Sequence, residues 1–325
     1  MFQNSSQIAT LFTALKAMTL PGQDEYVGLT APGRSNDFVA IDSQSNLILL
    51  VSCGPSALDV TRTTTRSLSV LPVAQLIIHS PAGPIAGTFL GVRLSADRTD
   101  LEEVFALVAS GLFDSLALSP DAGDILSLLE ELAQLFALET TPDPAVIKGL
   151  WGELWTIASS ASKDAWVEAW HRRPEDKFDF GFSRLDVEVK CAEGDRPIHH
   201  FSQDQLRLRP LQTTVISHLI VSSTAGLSLA ELADRISVEL GANLRLKFFI
   251  KLYRVIGTEL ESTDDFRFVI RDRPACVISA ENVPSVPDGY NLAIGGLSFT
   301  VDLTQALEAW GRPLAEVYEL VGEAQ

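Results

Sequence analysis

The spacing of apolar and polar residues changes several times along the chain, and each change marks an expected element. Residues 5–18 repeat apolar positions at helical spacing and predict a short amphipathic helix. From 25 to 95 the chain turns to Thr, Val, Ser, Gly and Pro. Here Phe38–Ile41, Leu47–Ser52, Ser67–Val70, Leu76–His79 and Thr88–Arg93 read as strands separated by turns. Between 98 and 140 the helical period returns in Leu101, Val104, Phe105 and Val108, then in Ile125, Leu128, Leu129, Leu132 and Leu135. Asp100 and Asp124 are the expected N-caps of these helices. Thr140–Pro144 reads as a linker.

The second half alternates more finely. A helix is expected over 145–160, then strands at Lys177–Phe182, Leu185–Cys191 and Ile198–Phe201, a helix from Ser202, and an apolar, β-branched strand at Thr214–Ser222. Leu229–Leu240 and Leu244–Ile256 read as helices. The tail returns to strands at Phe266–Arg271, Val277–Ser279 and Leu297–Val301, with a last helix at Leu303–Trp310. The fold class is therefore mixed, α+β or α/β, with a β-rich start over 1–97 and a helical connector over 98–144.

Alternation in the middle of the chain sorts the polar groups onto one face. Phe178, Phe180 and Phe182 share a side of their strand, which leaves Asp179 and Gly181 on the other. In the next strand Val187 and Val189 point one way, and Asp186, Glu188 and Lys190 point the other. Two adjacent strands thus each bury an apolar face and present carboxylates opposite, with a lysine beside the second. Hard oxygen ligands of this kind hold Mg²⁺ or Mn²⁺. A neighbouring lysine can stabilise charge that develops during phosphodiester hydrolysis.

Composition narrows the remaining choices. The 325 residues carry 25 Lys and Arg against 42 Asp and Glu, a formal net charge of −17. Such acidity opposes tight binding to nucleic acid or to an anionic membrane surface. The deficit is uneven, however: residues 149–220 hold nine basic and eleven acidic side chains, so the segment with the motif is nearly neutral. Cys53, Cys191 and Cys276 stand far apart, with no metal-binding or disulfide spacing, which suits a reducing cytoplasm. The N-terminus lacks the pattern of a secretory signal, and no run of about 18 apolar residues predicts a membrane span. No lysine stands in a GK[ST] context, and no GxSxG or HExxH occurs.

Asp179, eight intervening residues and then Glu188-Val189-Lys190 resemble the core of the PD-(D/E)XK nuclease superfamily. More narrowly, the chain resembles a bacterial family of PD-(D/E)XK motif proteins, often found in operons with DNA-modifying or phage-defence proteins. The shared pieces are Gly149 to Leu154, Trp166 or Trp170, Asp179-Phe180, Glu188-Val189-Lys190 and Gln205-Leu206. Phe178 departs from the Pro of the superfamily's name.

The resemblance implies a restriction-endonuclease-like αβββαβ core over 145–225, with 226–325 as a mixed α/β extension packed on it. It implies a cytoplasmic, Mg²⁺- or Mn²⁺-dependent DNA endonuclease, with Asp179, Glu188 and Glu153 on the metal. Lys190 would activate water or stabilise charge, and Gln205 would position groups. Partners implied are DNA and other proteins of a defence operon, such as a methyltransferase or ATPase, with a homodimer allowed and no membrane. The alternative is a partner-dependent or non-catalytic scaffold that keeps the fold.

Other residues stay open between two readings. Arg172, Arg173, Arg207 and Arg209 are either rim contacts to DNA phosphates or a solvated face, as are Lys247 and Lys251, which share a helix face with Arg254. Asp186 is either turn polarity or a helper at the metal. His199 and His200 are either ligands or one solvent-facing and one sheet-edge residue. Cys191 and the tryptophans read as core.

Overall fold

The computed structural model describes residues 3–19, 22–23, 25–53, 67–116, 143–172, 176–206, 212–256, 263–286 and 297–323. These form two compact units. The first comprises residues 1–141 and 241–259, the second 142–240 and 260–325. The units do not follow chain order, since 241–259 groups with the N-terminal part.

In the first unit, β1 (Tyr26–Thr30), β2 (Phe38–Ile41), β3 (Leu47–Ser52), β4 (Leu68–Ser80) and β5 (Gly83–Leu94) close into a barrel in the order β1-β2-β3-β5-β4. Its interior is filled by Phe38, Ala40, Ile48, Leu50, Ile78 and Phe89, and closure abolishes free sheet edges. The two strands expected at Ser67–Val70 and Leu76–His79 are one strand. Pro72 breaks the apolar pattern because the ladder shifts register between Leu71 and Ala74, a bulge that tolerates a residue without an N–H. Helix α1 (Gln3–Lys16) packs on α2 (Glu102–Ser115), with Phe12 stacked on Phe105 at 5.7 Å. Asp100 does not cap α2. It lies in the 3₁₀ turn Thr99–Leu101, and the capping position is Leu101. The expected helix with Ile125 to Leu135 and its cap Asp124 lie outside the described residues.

The second unit opens with α3 (Pro144–Ser159), whose Asp143 cap accepts from the Ala145 amide at 2.7 Å and whose first residue is Pro144. Helix α4 (Lys163–Ala169) follows, then β6 (Phe180–Gly181), β7 (Leu185–Glu193), β8 (Ile198–Ser202), α5 (Gln203–Leu206) and β9 (Gln212–Leu227). The chain continues through α6 (Leu229–Ser237) and, in the first unit, α7 (Ala242–Ile256). It returns through β10 (Phe268–Ile270), β11 (Val277–Ser279), β12 (Ser298–Asp302), α8 (Thr304–Trp310) and α9 (Leu314–Glu323). The main sheet runs β10-β9-β7-β6, with β11 also on β9. β6 pairs antiparallel with β7, and β7 pairs parallel with β9. That parallel pair needs a crossover, which β8 and α5 supply. β8 takes its ladder from β12, a hundred residues later, in a separate two-stranded sheet. The strand expected over Lys177–Phe182 is therefore shorter than its pattern, while β7 and β9 extend beyond theirs. Among the described residues, no helix is long and apolar enough to cross a membrane.

Register fixes the two faces of this sheet. Val187, Val189 and Cys191 face α3, while Glu188 and Lys190 face the opposite side, as the alternation predicts. On the first face two buried polar side chains pair with each other. Thr156 Oγ1 donates to the Gly152 carbonyl at 2.9 Å, so it accepts from His218 Nε2, also at 2.9 Å. On the other face His199 Nε2 meets Ser217 Oγ at 2.7 Å. Burial holds both imidazoles neutral and pulls them from 6.5 down to about 4, helped at His199 by nearby Lys190, His218 and Arg273.

This has a consequence for pH. As pH falls from 6.5 to 4, the unfolded chain takes up protons that the native imidazoles refuse, so their contribution to stability is lost with falling pH, by about 3 kcal/mol per histidine. The raised carboxyls described below act with the opposite sign, so the test compares two chains that share them. Urea unfolding from pH 7 to 4 should show a slope about 1.4 kcal/mol per pH unit shallower in His218→Gln than in the parent. Parallel slopes would show that His218 is protonated in the folded protein.

Candidate active site

The site is assembled from α3, the segment that follows α4, the approach to β6, β7 and α5, all in the second unit. Helix α4 ends at Trp170, which pairs as an isolated bridge with Phe180, and the His171 amide donates to the Asp179 carbonyl at 2.9 Å. Segment 170–171 thus lies along β6 like an extra edge. The turn out of it places His171 at φ +38°, a backbone conformation that non-glycine residues seldom adopt. Trp170 Nε1 donates to Glu153 Oε2 at 2.7 Å, and His171 Nε2 lies 2.9 Å from the same oxygen. An indole N–H only donates, so Trp170 fixes the Glu153 carboxylate in place. A Glu153 carboxylate oxygen, a His171 ring nitrogen and an Asp179 carboxylate oxygen then fall within 4.8 Å of one another.

Glu153 reaches this point because α3 lies very close to β7. A Cβ built on Gly152 would sit 2.1 Å from Cys191 Sγ, so any larger residue would force the thiol or the helix to move. Asp179 is anchored from the other side, where the Val189 amide donates to its Oδ2 at 2.7 Å. Next along β7, Glu188 is 4 % exposed. Its Oε1 accepts from Gln205 Nε2 at 2.6 Å and lies 2.7 Å from Lys190 Nζ. Gln205 is held in turn by the Ser202 amide, which donates to its Oε1 at 3.0 Å. Oε2 of Glu188 is buried and has no hydrogen-bond partner. The Lys190 ammonium sits 5.3 Å from the Phe201 ring centroid, on its own strand face.

The carboxylates strain one another electrostatically. Burial, then the charges of Glu153 and Glu188, push Asp179 well above the ordinary carboxylate range. Burial also raises Glu188, although Lys190 opposes the shift. Cys191, behind the site, is half-buried with its thiol against Gly152, and desolvation first pushes that thiol far upward, which keeps it unreactive. A cluster of acids that destabilise one another, with one buried oxygen unsatisfied, gains free energy from a cation.

The structure brings Glu153, Asp179, Glu188, Lys190 and Gln205 together in this one unit. It adds His171, which no spacing rule connects to Asp179, and it gives Trp170, expected as core, a hydrogen bond to Glu153. Among the described candidates for DNA contact, Arg172 is exposed and donates from Nη1 to the Gly181 carbonyl at 3.3 Å. Lys247 is exposed and Lys251 half-buried on α7, in the first unit. Arg173, Arg207 and Arg209 lie outside the described residues. His199 is buried, and His200 is exposed on β8. Trp151, Trp166 and Trp170 are fully buried, as core residues.

A family model described as "putative PD-(D/E)XK family member (DUF4420)" matches residues 8–304. No curated protein and no solved structure gives a significant match.

Proposed function

The chain belongs to this PD-(D/E)XK family, and from that premise we propose that it is a metal-dependent endonuclease that hydrolyses phosphodiester bonds in DNA. The observation that carries the reading is the unsatisfied Glu188 Oε2, buried beside Asp179 and Glu153 with Lys190 2.7 Å from the partner oxygen. These donors fit a hard divalent cation, Mg²⁺ or Mn²⁺: the oxygens are anionic, mutually repelling, and one has no other partner. Asp179, Glu188 and Glu153 would hold it. A cation there supplies Lewis acidity toward the phosphate and neutralises charge at the leaving oxygen.

The chain's own groups do the rest. Val189 and Gln205 hold the Asp179 and Glu188 carboxylates in fixed orientations, so little reorganisation is needed when substrate arrives. Lys190, with Glu188 as its counter-charge, offers a proton-bearing ammonium to the attacking water or to the oxyanion that forms on phosphorus. The proposed setting is a bacterial restriction or phage-defence system, which rests on the family resemblance. Nicking of supercoiled plasmid tests the activity. Cleavage should require Mg²⁺ or Mn²⁺, stop with EDTA, and fail in Asp179→Asn.

A further inference from the structure

We infer that His171 is a nitrogen ligand of the same metal centre, which gives the site a preference for Mn²⁺ over Mg²⁺. The inference builds on the nuclease reading above and specifies which cation that site selects.

His171 is aimed at the centre rather than merely near it. Its amide is tied to the Asp179 carbonyl at 2.9 Å, and its backbone is held at φ +38°. Nε2 then lies 2.9 Å from Glu153 Oε2, and both lie within 4.8 Å of an Asp179 oxygen. Two neighbouring ligands of an octahedral ion with bonds of about 2.1 Å stand about 3 Å apart, so the Glu153–His171 pair already has that separation. The side chain is one-third exposed, so a cation can reach it from solvent. The independent sign that a cation belongs here is Glu188 Oε2, on a side chain more than nine-tenths buried, with no partner.

Ligand chemistry then selects the ion. Mg²⁺ takes oxygen and keeps its waters, so an imidazole adds little to its binding. First-row transition ions accept imidazole nitrogen alongside carboxylate, and Mn²⁺ accepts both. A site with one nitrogen among carboxylates should therefore bind Mn²⁺ about tenfold or more tighter than Mg²⁺.

The test uses the full chain without nucleic acid. Calorimetry with Mn²⁺ and Mg²⁺, and pulsed electron paramagnetic resonance of bound Mn²⁺, would be run on the parent and on His171→Gln. Glutamine can still donate to Glu153 but is a poor metal ligand, so it separates ligation from simple positioning. The parent should show ¹⁴N coupling to Mn²⁺. His171→Gln should lose the coupling and weaken Mn²⁺ about 10- to 100-fold, with Mg²⁺ changed less than about threefold. Bound Mn²⁺ without nitrogen coupling in the parent, or an unchanged Mn²⁺ preference in His171→Gln, would overturn the inference and leave the nuclease reading intact. Nitrogen coupling in a chain that cuts no DNA would support the inference and overturn the nuclease reading. No Mn²⁺ binding at millimolar concentration would overturn both.

Discussion

Lys190→Met is expected to slow metal-dependent cleavage about 100- to 1,000-fold while leaving the fold and the metal in place. Methionine keeps most of the aliphatic stem that passes Phe201, so packing changes little. The ammonium is what disappears. It lies 2.7 Å from Glu188 Oε1 and is only 20 % exposed, so its charge acts with little screening by water. Metal affinity should hold or rise, because a competing cation has gone. Lys190 is also the largest influence holding Glu188 down, so without it that carboxyl takes up a proton more readily. The residual activity of Lys190→Met should therefore fall off at a higher pH than the parent's. Single-turnover rates across pH 5.5–8.5 check both effects. A rate within about threefold of the parent would remove Lys190 from the chemistry.

Gly152→Ala should be strongly destabilising to the second unit. The new methyl carbon would lie 2.1 Å from Cys191 Sγ, far inside van der Waals contact, and 3.5 Å from Val189 Cγ1. Helix α3 must move away from β7, or the thiol must leave its rotamer, at a cost of about 3 kcal/mol. For a unit of this size that is a fall of roughly 6–12 °C in Tm. Moving α3 also moves Glu153, so metal affinity should drop together with stability. The partner variant decides the cause. In Gly152→Ala/Cys191→Ala the sulfur is gone, and the Cys191 Cβ lies 3.6 Å away in ordinary contact. The double variant should recover most of the lost stability, a coupling that thermal melts of the four chains measure directly. Simple additivity would mean that the close approach of α3 and β7 is not what fixes glycine there.

Local pattern makes much of this site legible before any coordinates. Period-two alternation puts Glu188 and Lys190 on one face and Val187 and Val189 on the other, and the structure agrees because one face of β7 is buried against α3. Strands such as Phe38–Ile41 and Val277–Ser279 coincide with their expected limits. What spacing does not carry is contact between distant segments. The link from Glu153 to His171 runs through the end of α4 and the Trp170–Phe180 bridge, a tertiary arrangement with no sequence period. Only residue type flags His171, and type alone equally flags His199, which instead meets Ser217 in the core. The pairing of β8 with β12 and the grouping of 241–259 with the first unit are long-range in the same sense. Helix α9 differs, because Leu314, Val317, Tyr318 and Val321 after Pro313 do carry a helical period.

The central claim is that Asp179 is a metal ligand held where the fold disfavours its charge. Its Oδ2 accepts from Val189, a bond that an amide oxygen can also accept, while its charge is opposed by burial, Glu153 and Glu188. The single-turnover rate of DNA cleavage at saturating Mn²⁺, measured for the parent and Asp179→Asn alongside their thermal melts, tests this most directly. The account predicts a rate at least about 100-fold lower in Asp179→Asn, with a Tm equal to or above the parent's. Cleavage at the parent's rate by Asp179→Asn would contradict it.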